Sequence, residues 1–134
     1  MKKFFVIMSA VAGLTSCTKQ LSAPQGAAGQ SLFFQNANVA VENMAAKPTA
    51  ANTVDINFTT VFQNNISRIE LMSSATTNTF CTAQSVELTG NSSVKKNYAF
   101  TDENVKGSTM YYLLRFKDNN GNWTYSSYIT VQVK

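Results

Sequence analysis

The strongest hairpin signal in the chain lies in residues 111–134, which run YYLLRFKDNNGNWTYSSYITVQVK. Apolar and polar residues alternate on both sides of the segment DNNGN at 118–122, and a period of two is the pattern of half-buried β-strands. Asn and Gly readily adopt the backbone conformations that tight hairpin turns require. The stretch therefore predicts two antiparallel strands joined by a turn at residues 118–122.

Similar patterning continues toward the N-terminus as far as residue 52. Strand-like segments occur at residues 54–59, 68–72, 80–88 and 98–100, and turn-forming residues separate them. With the two strands of the hairpin they make about six strands, and no segment shows the 3.6-residue period of a convincing amphipathic helix. Short strands at this spacing predict an all-β fold, an antiparallel β-sandwich.

Residues 52–134 resemble the fibronectin type III-like, or immunoglobulin-like, domains of secreted and surface proteins of Bacteroidetes. The resemblance rests on VDINFTT at 54–60, YAFTDEN at 98–104, GSTMYYLL at 107–114 and the hairpin turn that follows. It implies a sandwich of six to seven strands that serves as a stalk or recognition module, and it carries no catalytic residues.

The first sixteen residues have the features of an export signal. Lys2 and Lys3 precede the uncharged run FFVIMSAVAGL at 4–14, which is shorter than the ~20 residues of a membrane-spanning helix and suits a signal peptide. The run ends in a Leu-x-small-Cys pattern made by Leu14, Thr15, Ser16 and Cys17. This pattern resembles the lipobox of bacterial lipoprotein precursors, which are cut just before the cysteine, so residues 1–16 are predicted to be removed.

The lipobox resemblance implies a diacylglyceryl thioether on the sulfur of Cys17 and a further acyl chain on its amine. Two or three chains, at ~0.8 kcal/mol for each buried methylene, anchor a protein stably. We therefore expect an envelope lipoprotein of the outer membrane, and an ordinary secretory signal with an unmodified Cys17 is the alternative. With Cys17 acylated, Cys81 has no cysteine partner in the mature chain and is expected to be a small strand residue.

Residues 17–51 are expected to form the acylated end and a flexible tether. TKQLSAPQGAAGQ at 18–30 is rich in small and polar residues, and such a segment buries too little apolar surface to fold alone. The more apolar SLFFQNANVAV at 31–41 is either an extra strand of the sandwich or a short segment that docks on a partner. Residues 47–49 (KPT) are expected to break the chain before the sandwich begins at residue 52.

Composition argues against several functional classes. The chain has 11 Lys and Arg against 7 Asp and Glu, a net charge of +4, and removal of Lys2 and Lys3 leaves about +2, which is too small for nucleic-acid binding. The absence of His excludes His-dependent triads and His-ligated metals. The acidic residues are scattered and predict no facing pair of the kind that a glycosidase needs. We expect no enzyme and no cofactor beyond the covalent lipid.

The candidate interaction residues are mostly aromatic. Alternation places Tyr112, Trp123 and Tyr125 on strand faces with apolar neighbours, so these three are predicted to be core, unless a β-bulge shifts Trp123 and Tyr125 relative to the later part of their strand. The opposite face forms a candidate binding face for a protein or glycan partner, made by Tyr111, Leu113, Arg115 and Tyr128. Ordinary cross-strand pairs on a solvated sheet are the alternative for these residues.

The expected function is a non-catalytic binding or interaction module held at the envelope by its lipid. The alternative is a structural subunit of a larger envelope assembly, in which the edges of the sandwich pair with neighbouring subunits.

Overall fold

The computed structural model of the protein contains two β-sheets that pack face to face. Apolar residues that alternate along the strands form the faces that meet. The structure describes residues 17–19, 26, 28–29 and 31–133. The predicted signal peptide, with Leu14, Thr15 and Ser16, and most of the predicted tether lie outside these residues. The described residues contain no helix, and the predicted all-β sandwich is confirmed.

Nine strands are present among the described residues, and every pairing is antiparallel. They are β1 (Cys17–Lys19), β2 (Phe34–Gln35), β3 (Val39–Ala50), β4 (Thr53–Gln63), β5 (Ile66–Ser74), β6 (Thr79–Glu87), β7 (Lys96–Asp102), β8 (Thr109–Asp118) and β9 (Trp123–Gln132). One sheet has the order β1-β6-β5-β8-β9 and the other the order β2-β3-β4-β7. Because β1 and β2 are short, the sandwich is built mainly from seven strands, which agrees with the expected six to seven.

The core lies between the two sheets, where each contributes its apolar face. Val54, Ile56 and Phe58 of β4 are at most 2% exposed, as the alternation in this segment predicts. From the five-stranded sheet they meet buried residues of three strands: Ile69, Leu71, Tyr112, Leu114, Phe116 and Ile129. The prediction that Tyr112 is a core residue is therefore confirmed.

The N-terminal part of the sandwich is larger than predicted. The apolar run at 31–41 forms β2 and the start of β3, and Val39, Val41 and Met44 of β3 are fully buried. The strand alternative for this run is therefore confirmed. Residue 52 falls in the short connection between β3 and β4, so it does not mark the beginning of the sandwich.

The expected break at residues 47–49 is wrong, because these residues lie within β3. Pro48 is the register partner of Val54 on β4. Strand β2 pairs with β3 only at Ala40 and Val41. The part of β3 that contains Pro48 therefore pairs with β4 on one side and, among the described residues, with no strand on the other. A proline, which has no backbone N–H, is tolerated on an edge of this kind.

Part of the predicted tether also contacts the sandwich. The backbone N–H of Gly26 donates a hydrogen bond to the carbonyl oxygen of Tyr128, with N and O 2.6 Å apart. A Cβ at residue 26 would overlap with a ring carbon of Phe33, closer than packed carbon atoms approach. At this position the absence of a side chain lets the backbone pass close to the aromatic ring.

The turn between β8 and β9 forms where the sequence predicts it. Asp118 Oδ1 accepts hydrogen bonds from the backbone N–H groups of Asn120 and Asn122, at 2.8 and 2.9 Å. Gly121 has a φ of +87°, a left-handed conformation that residues with a Cβ adopt at a steric cost. The side chain of Asp118 and the glycine together fix the chain reversal.

We expect the pKa of Asp118 to lie below its ordinary value of 3.8, because the backbone N–H of Asn122, and then that of Asn120, stabilise the charged carboxylate. The stabilising contribution is present above the ordinary pKa and is lost as the pH falls through the lower, folded value. A carbon-detected NMR titration of the carboxyl group measures the midpoint, with the unfolded chain in concentrated urea as the control. A folded midpoint at or above the urea value would contradict the prediction.

Candidate interaction face

The side of the five-stranded sheet that faces away from the four-stranded sheet is the outer face. Tyr111, Leu113 and Arg115 lie on it, because they alternate along β8 with residues of the core. Tyr128 is the register partner of Leu113 and therefore shares this face. The structure thus brings the four residues of the predicted binding face together on one surface.

Two further aromatic residues, Trp123 and Tyr125, also lie on the outer face, and the prediction that they are core is wrong. Trp123 is the register partner of Lys117, and Tyr125 that of Arg115. Between the pairs Arg115–Tyr125 and Leu113–Tyr128, strand β8 has one residue and strand β9 has two. This difference is a β-bulge, which adds one residue to β9 and reverses its inward and outward alternation.

The serine pair at 126–127 forms this bulge. Ser126 is 1% exposed, and its Oγ accepts a hydrogen bond from the backbone N–H of Leu114 at 2.9 Å. The same hydroxyl donates to the carbonyl oxygen of Ser127 at 2.7 Å. In the sequence, this bulge is indicated by two adjacent small polar residues between apolar positions.

A buried ion pair lies at the centre of the outer face. Arg115 Nε is 2.5 Å from Glu70 Oε2, and the two side chains are only 6% and 5% exposed. The guanidinium carbon of Arg115 lies 4.1 Å from the centroid of the Trp123 ring, a cation–π geometry. Thr82 Oγ1 donates to the same Glu70 oxygen at 3.2 Å. Arg115 is therefore fixed from several directions.

A second charged pair forms the solvent-exposed end of this arrangement. Arg68 Nη1 lies 3.4 Å from Glu70 Oε1, and Arg68 also forms an ion pair with Glu87 on the neighbouring strand β6. The Arg68 side chain is 38% exposed, so solvent weakens these interactions. The outer face therefore carries both a buried ion pair, that of Arg115 and Glu70, and a solvent-exposed ion pair, that of Arg68 and Glu87.

An apolar cluster adjoins the ion pair. Met72, Phe80 and Leu113 are fully buried, although Met72 and Leu113 point away from the main core, and they form a separate cluster. Three half-buried tyrosines pack against them: Tyr111, Tyr125 and Tyr128. The rings of Tyr111 and Tyr128 are 5.7 Å apart in an edge-to-face arrangement.

This burial changes the roles of two predicted binding residues. Leu113 is fully buried and Arg115 is 5% exposed, so neither presents its side chain to solvent. They support the residues around them through packing and through the ion pair with Glu70. The accessible aromatic part of the outer face consists of four half-buried rings, here called the aromatic rim: Tyr111, Trp123, Tyr125 and Tyr128.

Outside the outer face, metal-ligand clusters and clefts are the other kinds of candidate site among the described residues. No group of three or more His, Cys, Asp or Glu side chains is arranged there to hold a metal ion. A cleft of about 180 Å³ lies at one end of the sandwich, below the roughly 300–1,000 Å³ of common ligand pockets. Its lining includes Ala51, Asn52, Val105, Lys106, Gly107 and Ser108.

Within the described ranges, no helix meets the length and hydropathy required to cross a membrane.

The two cysteines behave differently from the prediction. Cys17 on β1 is the register partner of Cys81 on β6, and their sulfur atoms form a disulfide across a Cα–Cα distance of 3.8 Å. Cys81 therefore has a partner in this structure, where the sequence predicts none for the acylated chain. A sulfur atom in a disulfide cannot also carry a thioether, so lipidation of Cys17 stays a prediction that requires the reduced cysteine.

Comparisons with models of protein families, with curated proteins and with solved structures return no match for this chain. The fold is therefore described from its own strand topology. The lipoprotein and fibronectin-like resemblances stay predictions from the sequence.

Proposed function

We propose that the protein is a non-catalytic interaction module that a lipid on Cys17 holds at the cell envelope, with the outer membrane as its location. The module recognises a protein or glycan partner through the aromatic rim of the outer face. The observation that carries this proposal is the clustering of four half-buried aromatic rings on one sheet face, over a fixed ion pair and a packed apolar cluster.

The physical argument for recognition is that the rim is already rigid. Arg115 is held by Glu70 and covered by Trp123, while Tyr111 and Tyr128 contact each other edge to face. Aromatic side chains provide large contact areas with few rotatable bonds, and they are enriched among the dominant residues of interfaces. Because these rings are held in place before binding, their side chains lose less conformational entropy when a partner binds.

The argument for an anchor rests on the sequence. Residues 4–14 have the length and apolar character of a signal peptide, and the Leu-x-small-Cys pattern follows directly. Acyl chains on Cys17 would bind the outer membrane with the strength expected for two or three chains. The proposal contains no catalytic step, because neither the scattered acids nor the rim residues form a nucleophile with an adjacent base.

The anchor is tested by intact mass and membrane fractionation of the native protein beside a Cys17→Ala variant. We expect an acylated mass and membrane association for the native chain, and loss of both in the variant. Ser73→Ala is a matched control, since it alters a small residue beside Cys81 and leaves the lipobox intact. Complete absence of an acylated fraction from the native protein, with all of it in the soluble fraction, would overturn the anchor and favour a secreted, diffusible domain.

Photo-crosslinking in intact cells tests the aromatic rim. One protein carries benzoylphenylalanine at position 123, and a control protein carries it at exposed position 57 of the other sheet. We expect a discrete adduct from position 123 that is lost in a Tyr111→Ser/Tyr128→Ser variant and kept in an Asn57→Ser/Ala99→Ser variant. Asn57 and Ala99 are an exposed cross-strand pair on β4 and β7. The purified domain on a glycan array tests a sugar partner. Failure to form an adduct together with failure to bind a glycan would contradict the role of the rim.

A structural role in an envelope assembly is the second candidate, and one feature of the sheet order favours it. Strand β7 lies at the end of the four-stranded sheet, and its residues Lys96, Asn97 and Ala99 are exposed. Among the described residues no further strand pairs with this edge, although the Gln84 side chain accepts a hydrogen bond from the backbone N–H of Thr101. An edge strand of this kind can pair with another chain. Sedimentation velocity over a range of protein concentrations separates the two functions, because an assembly subunit would form oligomers and an isolated recognition module would stay monomeric.

A further inference from the structure

The pairing of β1 with β6 joins the chain segment next to the lipobox to the folded domain. Cys17 lies opposite Cys81, Thr18 opposite Phe80 and Lys19 opposite Thr79. The two cysteines are 64 residues apart in sequence, so only the folded sheet brings their sulfur atoms together. The cysteine proposed to carry the lipid is thus the cysteine that forms the disulfide.

We propose that Cys81 controls the lipidation of Cys17, because the disulfide between them consumes the sulfur that the thioether requires. The inference rests on the proposed lipid anchor and adds a regulatory site to it. It predicts two exclusive forms of the protein. One is anchored and has a free thiol at Cys81, and the other is unanchored and has a disulfide.

The two reactions differ in what they consume. In the lipid reaction, the Cys17 thiolate attacks a glyceryl carbon of a glycerophospholipid donor. A carbon–sulfur bond forms, the carbon–oxygen bond to phosphate breaks, and the phosphorylated headgroup leaves with the electron pair. In the disulfide reaction, the thiols of Cys17 and Cys81 lose two protons and two electrons to an oxidised dithiol carrier of the envelope. Its disulfide becomes two thiols by exchange through a mixed disulfide.

The geometry makes the competition direct. Backbone pairing holds Cys17 opposite Cys81, so disulfide formation is intramolecular and benefits from a high effective concentration. The lipid reaction requires the opposite arrangement, in which Cys17 is reduced and separated from Cys81. Because disulfides persist in the oxidising compartments outside the cytoplasm, an exported chain that folds before acylation is trapped in the disulfide form.

The test measures lipidation and thiol content together. The full precursor is produced in bacteria with lipoprotein-processing enzymes, alkylated under non-reducing conditions and weighed intact, as wild type, Cys81→Ser and the control Ser73→Ala. For wild type we expect a lipidated population with one alkylated thiol and an unlipidated population with none. We expect Cys81→Ser to lose the thiol-free unlipidated population, and wild type grown with a dithiol reductant to lose it as well. Circular dichroism checks that the variants keep the β-fold.

The outcomes separate this inference from the anchor itself. Complete lipidation of wild type with a free thiol at Cys81 would support the anchor and overturn the control by Cys81. Equal lipidated fractions in wild type and Cys81→Ser would also overturn it. Absence of lipid from all three proteins would overturn both the anchor and the inference. A lipidated fraction that rises in Cys81→Ser and stays at the wild-type value in Ser73→Ala supports the proposal.

Discussion

Replacement of Arg115 by methionine is expected to lower the free energy of unfolding by about 3 kcal/mol, at the lower end of the range for breaking a buried ion pair. The variant leaves the carboxylate of Glu70 at 5% side-chain exposure without its closest cation. The guanidinium of Arg68, 3.4 Å from the other carboxylate oxygen, compensates in part, which is why the upper end is not expected. Urea unfolding followed by circular dichroism measures the change.

Two further variants isolate the cause of this loss. Arg68→Met removes a partly exposed cation beside the same carboxylate and is expected to cost less than about 1 kcal/mol. Combining Glu70→Leu with Arg115→Met removes both buried charges, and the double variant is expected to be more stable than Arg115→Met alone. If the double variant were less stable than the single one, lost packing under Trp123 and not the uncompensated charge would explain the effect.

Replacement of Tyr112 by phenylalanine is expected to lower the free energy of unfolding by about 2 kcal/mol, the value for losing a hydrogen bond to a charged group. The Tyr112 hydroxyl donates to Asp102 Oδ2 at 2.9 Å, and Asp102 is 3% exposed. Asn104 N also donates to this carboxylate, through Oδ1 at 3.0 Å, but the second oxygen loses its tyrosine donor. Tyr128→Phe removes the same atom from the half-buried outer face and is the matched control, with an expected change below about 0.5 kcal/mol.

The same hydroxyl makes this contribution pH-dependent. Burial, followed by the negative charge of Asp102, raises the pKa of Tyr112 well above its ordinary value of 10.0. Above pH 10.0 the unfolded chain releases the phenolic proton while the folded chain retains it, so stability falls as the pH rises toward the folded pKa. The stability difference between wild type and Tyr112→Phe is therefore expected to shrink above pH 10.0. A difference that stays constant in urea titrations across this range would contradict the assignment.

The main core was predictable from local patterns. Val54, Ile56 and Phe58 alternate with polar residues, and all three are buried. In a strand the side chains alternate by geometry, so the sequence alone indicates which residues share a face. The segment at 118–122 likewise favours its turn locally, because Asp118 accepts hydrogen bonds within the turn and Gly121 adopts the left-handed conformation that the turn requires.

The composition of the outer face depended on one local irregularity. Strict alternation assigns Trp123 and Tyr125 to the core, but the bulge at residues 126–127 moves them to the outer face. Whether an extra residue enters a strand depends on the fit between neighbouring strands and on contacts such as that of Ser126 with Leu114. A period-two pattern contains no information about this fit.

The sequence by itself determined the all-β class, the faces of the regular strands and the principal hairpin, because each follows from backbone geometry over a few neighbouring residues. The tertiary structure alone decided which distant residues meet. It pairs Cys17 with Cys81 across 64 positions, and it places Glu70 against Arg115 across 45 positions. Such contacts depend on strand order and register, which minimise the free energy of the whole sandwich and not of any single segment.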